Sequence, residues 1–302
     1  MSDYSEASVP TQRGKTFFVT GANTGIGFEA TRVLAARGAR VLLGCRSEEK
    51  ASAAVEKIRR SHPDADLVWT PLDLTSLKSV EEAAARVDRE PRLDGLVNNA
   101  GVMIPPKTLT QDGFELQFGV NHLGHFALTG RLLDRLAATP GARVVNVSSA
   151  AHHGGRIDFD DPHAEKSYNP SRRYSMSKAA NLYFTLELAT RLATRGIDVT
   201  AVGCHPGIAD TELSRTFPAW LAVIGPLTRR LFNTPAEGAL PTLLATTSAS
   251  VKPGDYYGPT RRWEMARSAG PARIAKHVRD EEVAQRLWDL STRLTGVVYL
   301  SD

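Results

Sequence analysis

Cysteine is close to absent from this chain: two, Cys45 and Cys204, stand far apart among 302 residues, without metal-ligating partners. Their scarcity excludes a disulfide-stapled secreted scaffold and a thiolate metal cluster, and it suits a reducing compartment, the cytoplasm. No apolar run approaches the roughly 20 residues of a membrane-spanning helix, so no membrane span is expected. The opening MSDYSEASVPTQ is polar and carries acids, unlike a signal or transit peptide, and residues 1–12 read as a flexible tail. No charge of one sign dominates: 37 Lys and Arg against 33 Asp and Glu leave a net charge of +4, with the arginines scattered. A nucleic-acid partner, which calls for a basic stripe interleaved with aromatics, is therefore not expected. The histidines His122, His125, His152, His153, His163 and His205 lack the carboxylate or cysteine pattern of a metal site.

What is present is the composition of an ordinary soluble globular protein, 42% hydrophobic and 23% charged, long enough to bury a large core. Short β-rich runs alternate with longer Ala/Leu/Arg segments of helical period, the pattern of an α/β fold with a parallel sheet flanked by helices. Strands are predicted at 15–20, 39–44, 67–72, 93–97, 143–148 and 197–203, with a weaker one at 255–257. Helices are predicted at 25–37, 48–60, 77–88, 114–137 and 173–195, then 236–245 and 278–294. No linker or repeat interrupts the alternation, so residues 13–302 read as one domain. After Gly207 the rhythm changes. Residues 208–235 form a long connection holding Phe217, Trp220, Leu221, Ile224, Leu227, Leu231 and Phe232, which reads as a lid.

The run Thr20-Gly21-Ala22-Asn23-Thr24-Gly25-Ile26-Gly27 joins the first strand to the first helix. Glycines there permit a tight turn and let backbone N–H groups approach a pyrophosphate at a helix N-terminus. The spacing is G-x-x-x-G-x-G rather than the general G-x-G-x-x-G dinucleotide fingerprint, and a turn without ligand is the competing reading. The second strand ends in Cys45-Arg46-Ser47. An acid at that turn would take the ribose 2′-hydroxyl of NAD(H). Arg46, helped by the Ser47 hydroxyl, suits the 2′-phosphate of NADP(H) instead, unless it is a solvated turn residue.

These residues resemble the short-chain dehydrogenase/reductase family. TGANTGIG looks like its cofactor turn, with Gly21, Asn23, Thr24, Gly25, Ile26 and Gly27 against the cofactor. Leu72-Asp73-Leu74 looks like its adenine-contacting element, which assigns Asp73 and Leu74 to the adenine. Asn98-Asn99-Ala100-Gly101 looks like its NNAG motif, which supports the sheet and places Asn99, Ala100 and Gly101 along the adenosine ribose. Within the family, GCRSEEK, GVNHLGHFALT, RVVNVSSAAHHGGRIDF and GCHPGIADTEL resemble the branch of retinol dehydrogenases, protochlorophyllide reductase and WW-domain oxidoreductase. The resemblance implies a Rossmann-type doubly wound sheet of seven parallel strands in the order 3-2-1-4-5-6-7. The N-terminal hydrophobic anchor of the membrane-bound retinol enzymes has no counterpart in the tail.

Tyr174 and Lys178 fall four apart in YSMSK, which places them on one helix face. A free phenol, with a pKa near 10, is a poor acid–base at neutral pH, and a neighbouring ammonium would favour the phenolate. By itself the spacing is common; behind the cofactor motifs it reads as catalytic. Ser149, the second serine of NVSSA, would orient the substrate oxygen, with Ser148 as the alternative. The resemblance makes Asn121 a helix asparagine whose kinked helix holds a water linking Lys178 to solvent; a satisfied core amide is the other reading. Pro206, Gly207 and Thr211 resemble the segment cradling the nicotinamide. The expected function is hydride transfer between NADP(H) and a lipophilic aldehyde, ketone or alcohol, the lid closing over the substrate. A non-catalytic NADP-sensing or interaction protein, and a light-driven tetrapyrrole reductase, are the alternatives. The helices at 114–137 and 173–195 form dimer faces in many relatives, so a homodimer is one expectation and a monomer the other.

Overall fold

Strand β1 (Thr16–Thr20) is buried at all five positions, which only a sheet covered on both faces allows. The twofold alternation of side chains then sorts the strand residues into two cores. Phe17 and Val19 of β1, with Val41 and Leu43 of β2 (Arg40–Cys45), join a cluster with α1 (Gly25–Ala36), α2 (Glu48–Arg59) and α7 (Pro235–Thr247). Phe18 and Leu42 point the other way, into a cluster with α3 (Leu77–Val87), α5 (Gly124–Ala137) and α6 (Pro170–Thr194). The other strands are β3 (Asp66–Pro71), β4 (Gly95–Asn98), β5 (Ala142–Val147), β6 (Val199–Cys204), β7 (Tyr256–Gly258) and β8 (Gly270–Pro271). This computed structural model describes residues 4–207, 233–261 and 268–299.

The strand order is β3-β2-β1-β4-β5-β6-β7-β8, parallel up to β7. The expected seven-strand order is therefore present, and the short antiparallel β8 adds an eighth at the edge. Helix starts follow local chemistry. Ser47 caps α2 and Ser76 caps α3, each accepting a backbone amide three residues on; Asn169 does the same for α6, whose first residue is Pro170.

One expectation needs correction. The single helix predicted at 114–137 is broken: a turn, α4 (Leu116–Phe118), runs through a π-helical turn at Gly119–Leu123 into α5. The amphipathic pattern continues across the break because a π-turn inserts one residue without ending the helix. The tail is docked from Tyr4 onward: Tyr4 Oη lies 3.2 Å from Thr247 Oγ1, Glu6 pairs with Arg32 at 2.8 Å, and Val9 is buried. The end of the predicted lid, Thr234-Pro235, is the capped start of α7, while residues 208–232 lie outside the described residues.

The last helix, α8 (Glu281–Thr295), packs on α6 and α5, with Trp288 edge-on to Phe126 and against Phe184. Beyond it, Val297 and Tyr299 lie over Gly130 of α5. Part of the two helices expected as dimer faces is thus covered within the chain. Among the described residues no helix is long and apolar enough to cross a membrane.

Candidate active site

At the C-terminal ends of β1 to β6 a cleft of about 620 Å³ opens between the strand ends and the helix N-termini, the position an open α/β sheet reserves for ligands. Gly21, Asn23, Thr24, Gly25, Ile26 and Gly27 form its floor. Gly21 has φ +65°, and a Cβ on Gly27 would lie 2.3 Å from the Gly21 carbonyl oxygen and 2.4 Å from Asn99 Nδ2. A Cβ at Gly27 therefore meets backbone, which cannot swing aside. Gly27→Ala is expected to raise the dissociation constant of a nicotinamide dinucleotide at least about fivefold in a titration, because overpacking costs on the order of 1–3 kcal/mol.

Thr20 ties this floor to the next wall. Its hydroxyl accepts the Asn99 and Ala100 amides, both at 2.9 Å, while its carbonyl accepts Asn99 Nδ2 at 2.8 Å. Asn99, Ala100 and Gly101 thus lie beside the glycine turn and line the cleft. Asn98 is buried behind them, donating through Nδ2 to Asn146 Oδ1 at 2.8 Å across its β4–β5 register partner. Asp73 and Leu74 form the far end. The Asp73 carboxylate accepts from the Thr75 amide and hydroxyl and from Gln111, so its orientation is fixed before any ligand arrives.

Arg46 and Ser47 stand at the rim, where Ser47 also caps α2. Arg46 is exposed and makes no ion pair among the described residues. Lys50, one turn into α2, lines the same rim and was not singled out from the sequence, although it closes the GCRSEEK run that carried the resemblance.

Tyr174, Lys178 and Pro206 line the inner part of the cleft. Burial, the larger influence, pushes the Tyr174 phenol above its ordinary range, against a smaller lowering by the Ser149 side chain. Lys178 Nζ donates to the Val147 carbonyl at 3.1 Å and lies 5.9 Å from the Tyr174 ring centre. Desolvation pulls this ammonium down to about 8. Burial thus moves both groups toward their neutral forms, and the expected lowering of the phenol by the ammonium is not what governs it here. Of the two serines, Ser148 borders the cleft but spends its hydroxyl on the Lys178 carbonyl at 2.7 Å. Ser149 is half-buried; its hydroxyl accepts the Ala151 amide at 3.2 Å and is close enough to the Tyr174 phenol to lower it slightly. His152 holds the Ser149 turn: Nδ1 donates to the Ser149 carbonyl at 2.7 Å, and Nε2 accepts the Ala275 amide at 3.2 Å.

Asn121 sits in the π-turn, fully buried, and its side-chain amide pairs with Val102 through both N and O and donates to Ser177 Oγ. Its side chain is satisfied within the core, and its kinked helix brings it beside Lys178: a Cβ on Gly101 would lie 3.1 Å from Asn121 Oδ1 and 3.5 Å from Lys178 Nζ. Gly207 follows Pro206 in the left-handed region, at φ +71°. Thr211 lies outside the described residues. Met103, Pro105, Leu116 and Val120 supply an apolar wall that sequence patterning could not assign. It is braced by the segment before α6 and by α4: Tyr168 Oη donates to the Pro105 carbonyl at 2.6 Å, and Gln117 of α4 accepts the amide of Ile104, held at φ +53°. Among the described residues no cluster could hold a metal ion. Cys204 is buried with its thiol pushed up to about 12 by desolvation, which leaves no thiolate nucleophile.

The short chain dehydrogenase family profile matches residues 15–222. Retinol dehydrogenase 13 of Homo sapiens is 44% identical over 302 residues, covering 97% of this chain and 87% of that protein. Retinol dehydrogenase 12 of Homo sapiens is 41% identical over 288 residues, covering 94% and 87%. Among solved structures, an uncharacterized protein from Mycobacterium Paratuberculosis superposes with a TM-score of 0.83 at 35% identity, over 99% of this chain and 100% of that one. A short chain dehydrogenase from Shigella flexneri 2A, complexed with NADP, gives a TM-score of 0.64 at 25% identity, over 81% and 96%. With this fold and this cleft, the chain belongs to the short chain dehydrogenases, in their retinol dehydrogenase-like branch, and is an oxidoreductase acting on alcohol or carbonyl groups.

Proposed function

We propose that this oxidoreductase uses NADP(H) and acts on a lipophilic aldehyde, ketone or alcohol, with Tyr174 as its acid–base. The observation that carries the cofactor choice is Arg46, exposed and free of ion pairs among the described residues at the end of β2, with Lys50 beside it and no acid at that turn. Two cations there suit a 2′-phosphate and offer nothing to a bare 2′-hydroxyl. The glycine floor suits a pyrophosphate at a helix N-terminus, and its close packing depends on Gly27, where a Cβ would run into the Gly21 carbonyl. Relatives named for retinol, together with the wall of Met103, Pro105, Leu116 and Val120, favour an extended apolar substrate.

Bound NADPH would supply the hydride. The chain's own residues manage the oxygen. Ser149 orients the carbonyl oxygen toward Tyr174, whose phenol, kept protonated by burial, gives up its proton as negative charge develops there. Lys178, beneath the ring, supplies positive charge that steadies the phenolate left behind. In the oxidative direction the same phenolate accepts the alcohol proton.

The test is nucleotide consumption with NADPH and NADH against lipophilic aldehydes and ketones, for wild type and Arg46→Ala. NADPH should be preferred. The variant should weaken NADPH use roughly 10- to 100-fold, the worth of a lost charge-assisted hydrogen bond, with NADH use nearly unchanged. Equal losses with both nucleotides would remove the cofactor assignment.

A further inference from the structure

His125 has no part in the chemistry above and does not line the cleft, yet it is sealed between three segments that build it. It lies one residue into α5, just past the π-turn, and is 2% exposed. Its Nε2 is 2.9 Å from Thr20 Oγ1, and its Nδ1 is 3.1 Å from the Asn121 main-chain carbonyl. Thr20 fixes where the protons are. The hydroxyl oxygen already accepts two amides, Asn99 and Ala100, which fills both lone pairs, so its one hydrogen must point outward. The Val97 carbonyl is available at 3.4 Å and His125 Nε2 at 2.9 Å. Nε2 is therefore the acceptor, Nδ1 carries the ring proton, and that proton goes to the Asn121 carbonyl. Burial keeps the ring neutral, with a pKa of about 4.

We propose that His125 is a positioning residue that locks the Asn99–Ala100 turn to the glycine turn through Thr20 and fastens both to the Asn121 π-turn. The physical reason is orientation. Without the Nε2 acceptor, the Thr20 hydroxyl turns toward the longer Val97 contact and its lone pairs leave the two amides. Those amides hold a wall in contact with the cofactor turn, since a Cβ on Gly21 would lie 3.1 Å from Ala100 Cα. A slip at residues 99 and 100 therefore reaches the nucleotide. Four residues after Asn121 the ring stacks back over the preceding turn, which puts a donor at that carbonyl.

This inference rests on the cleft binding a nucleotide, so the experiment has one arm that needs none. Hydrogen exchange of the Asn99 and Ala100 amides is followed in the full chain without nucleotide, and NADPH affinity is measured separately. His125→Asn can keep a donor near the Nδ1 position and loses the acceptor; His125→Gln can keep an acceptor near Nε2 and loses the donor. His125→Asn should speed exchange at both amides and weaken NADPH binding by about tenfold, while His125→Gln stays within about threefold of wild type, as the loss or retention of one hydrogen bond dictates. Thr20→Val, which also takes the acceptor away from both amides, should be at least as severe as His125→Asn, and adding His125→Asn to it should cost nothing further, because the His125 bond acts only through that hydroxyl. Equal effects of Asn and Gln, no effect of Asn, or losses that multiply in the double variant would overturn the proposal. If His125→Asn fails to fold, the comparison passes to Thr20→Val and His125→Gln, where equal NADPH affinities overturn it. A wild type that does not bind NADPH would defeat the nucleotide reading while leaving the exchange comparison intact.

Discussion

Tyr174→Phe is expected to lower NADPH-dependent carbonyl reduction by about two to four orders of magnitude, the usual worth of a positioned general acid, while leaving NADPH affinity within a few-fold. The substitution removes one oxygen from a half-buried ring and leaves the helix around it untouched. In the proposed function the nucleotide would be held elsewhere, by the glycine floor, the Asn99–Gly101 wall and the Arg46 rim of the cleft, so the loss should fall on kcat. Single-turnover rates with a lipophilic aldehyde, set beside a nucleotide titration, separate the two. A variant that keeps more than about a tenth of the wild-type rate would leave the phenol outside the proton transfer. The pH profile adds a second check. Burial raises the phenol, so Tyr174 remains a proton donor throughout the neutral range, whereas Lys178 loses its charge near pH 8. Reduction should therefore slow as pH rises through about 8, and that limb reports the ammonium rather than the tyrosine.

The same comparison separates an enzyme from a protein that only binds nucleotide. A binder needs Thr20, the glycines and Arg46, but it has no use for a serine hydroxyl placed at a buried phenol above a lysine. Loss of turnover with binding preserved is the signature of the proton-transfer set.

Much of this site was legible in the sequence because its parts are local. The glycine turn, the Arg46 rim, the NNAG run and the Tyr174–Lys178 pair each lie within a few residues, so spacing alone puts them on one turn or one helix face. Strand ends also came within about two residues, since buried parallel strands are near-continuous apolar runs. What spacing could not show is how distant segments meet. Tyr168 reaches Pro105 across 63 positions, and His125 reaches Thr20 across 105. Periodicity alone hid the π-turn, because inserting one residue leaves it almost intact, and only the resemblance pointed to a kink at Asn121. Spacing is equally silent on contacts of the first residues, where Val9 is buried and Glu6 pairs with Arg32, because isolated contacts give no periodic signal. Spacing also carries no hydroxyl directions: that Ser148 gives its hydroxyl to the Lys178 carbonyl shows only once α6 is packed beside it.

Stability should fall steeply between pH 7 and pH 5, because the core encloses histidines that cannot take a proton while folded. His122 is stacked among Phe118, Phe126 and Phe184, His125 is sealed between Thr20 and Asn121, and His205 is pressed against Tyr256. Desolvation, the largest influence on each, lowers them to about 3, about 4 and about 3. The unfolded chain protonates the same rings near pH 6.5. Below that value the unfolded state binds more protons than the folded one, so stability is lost as pH falls, from about 6.5 down to the folded values. At pH 5 each ring withdraws about 2 kcal/mol, and three together approach half the total stability of many domains. His152, lowered to about 4 mainly by burial, acts in the same direction. Carboxylates such as Glu6, held low by Arg32, lose their contribution only at more acid pH and leave this window to the histidines. Urea unfolding at pH 7, 6 and 5 measures the slope, with an expected fall of at least about 4 kcal/mol; a fall under about 2 kcal/mol would mean that the rings gain protons without unfolding. His122→Phe places an aromatic ring among aromatic rings and removes one titrating site, so the slope should drop by about one proton.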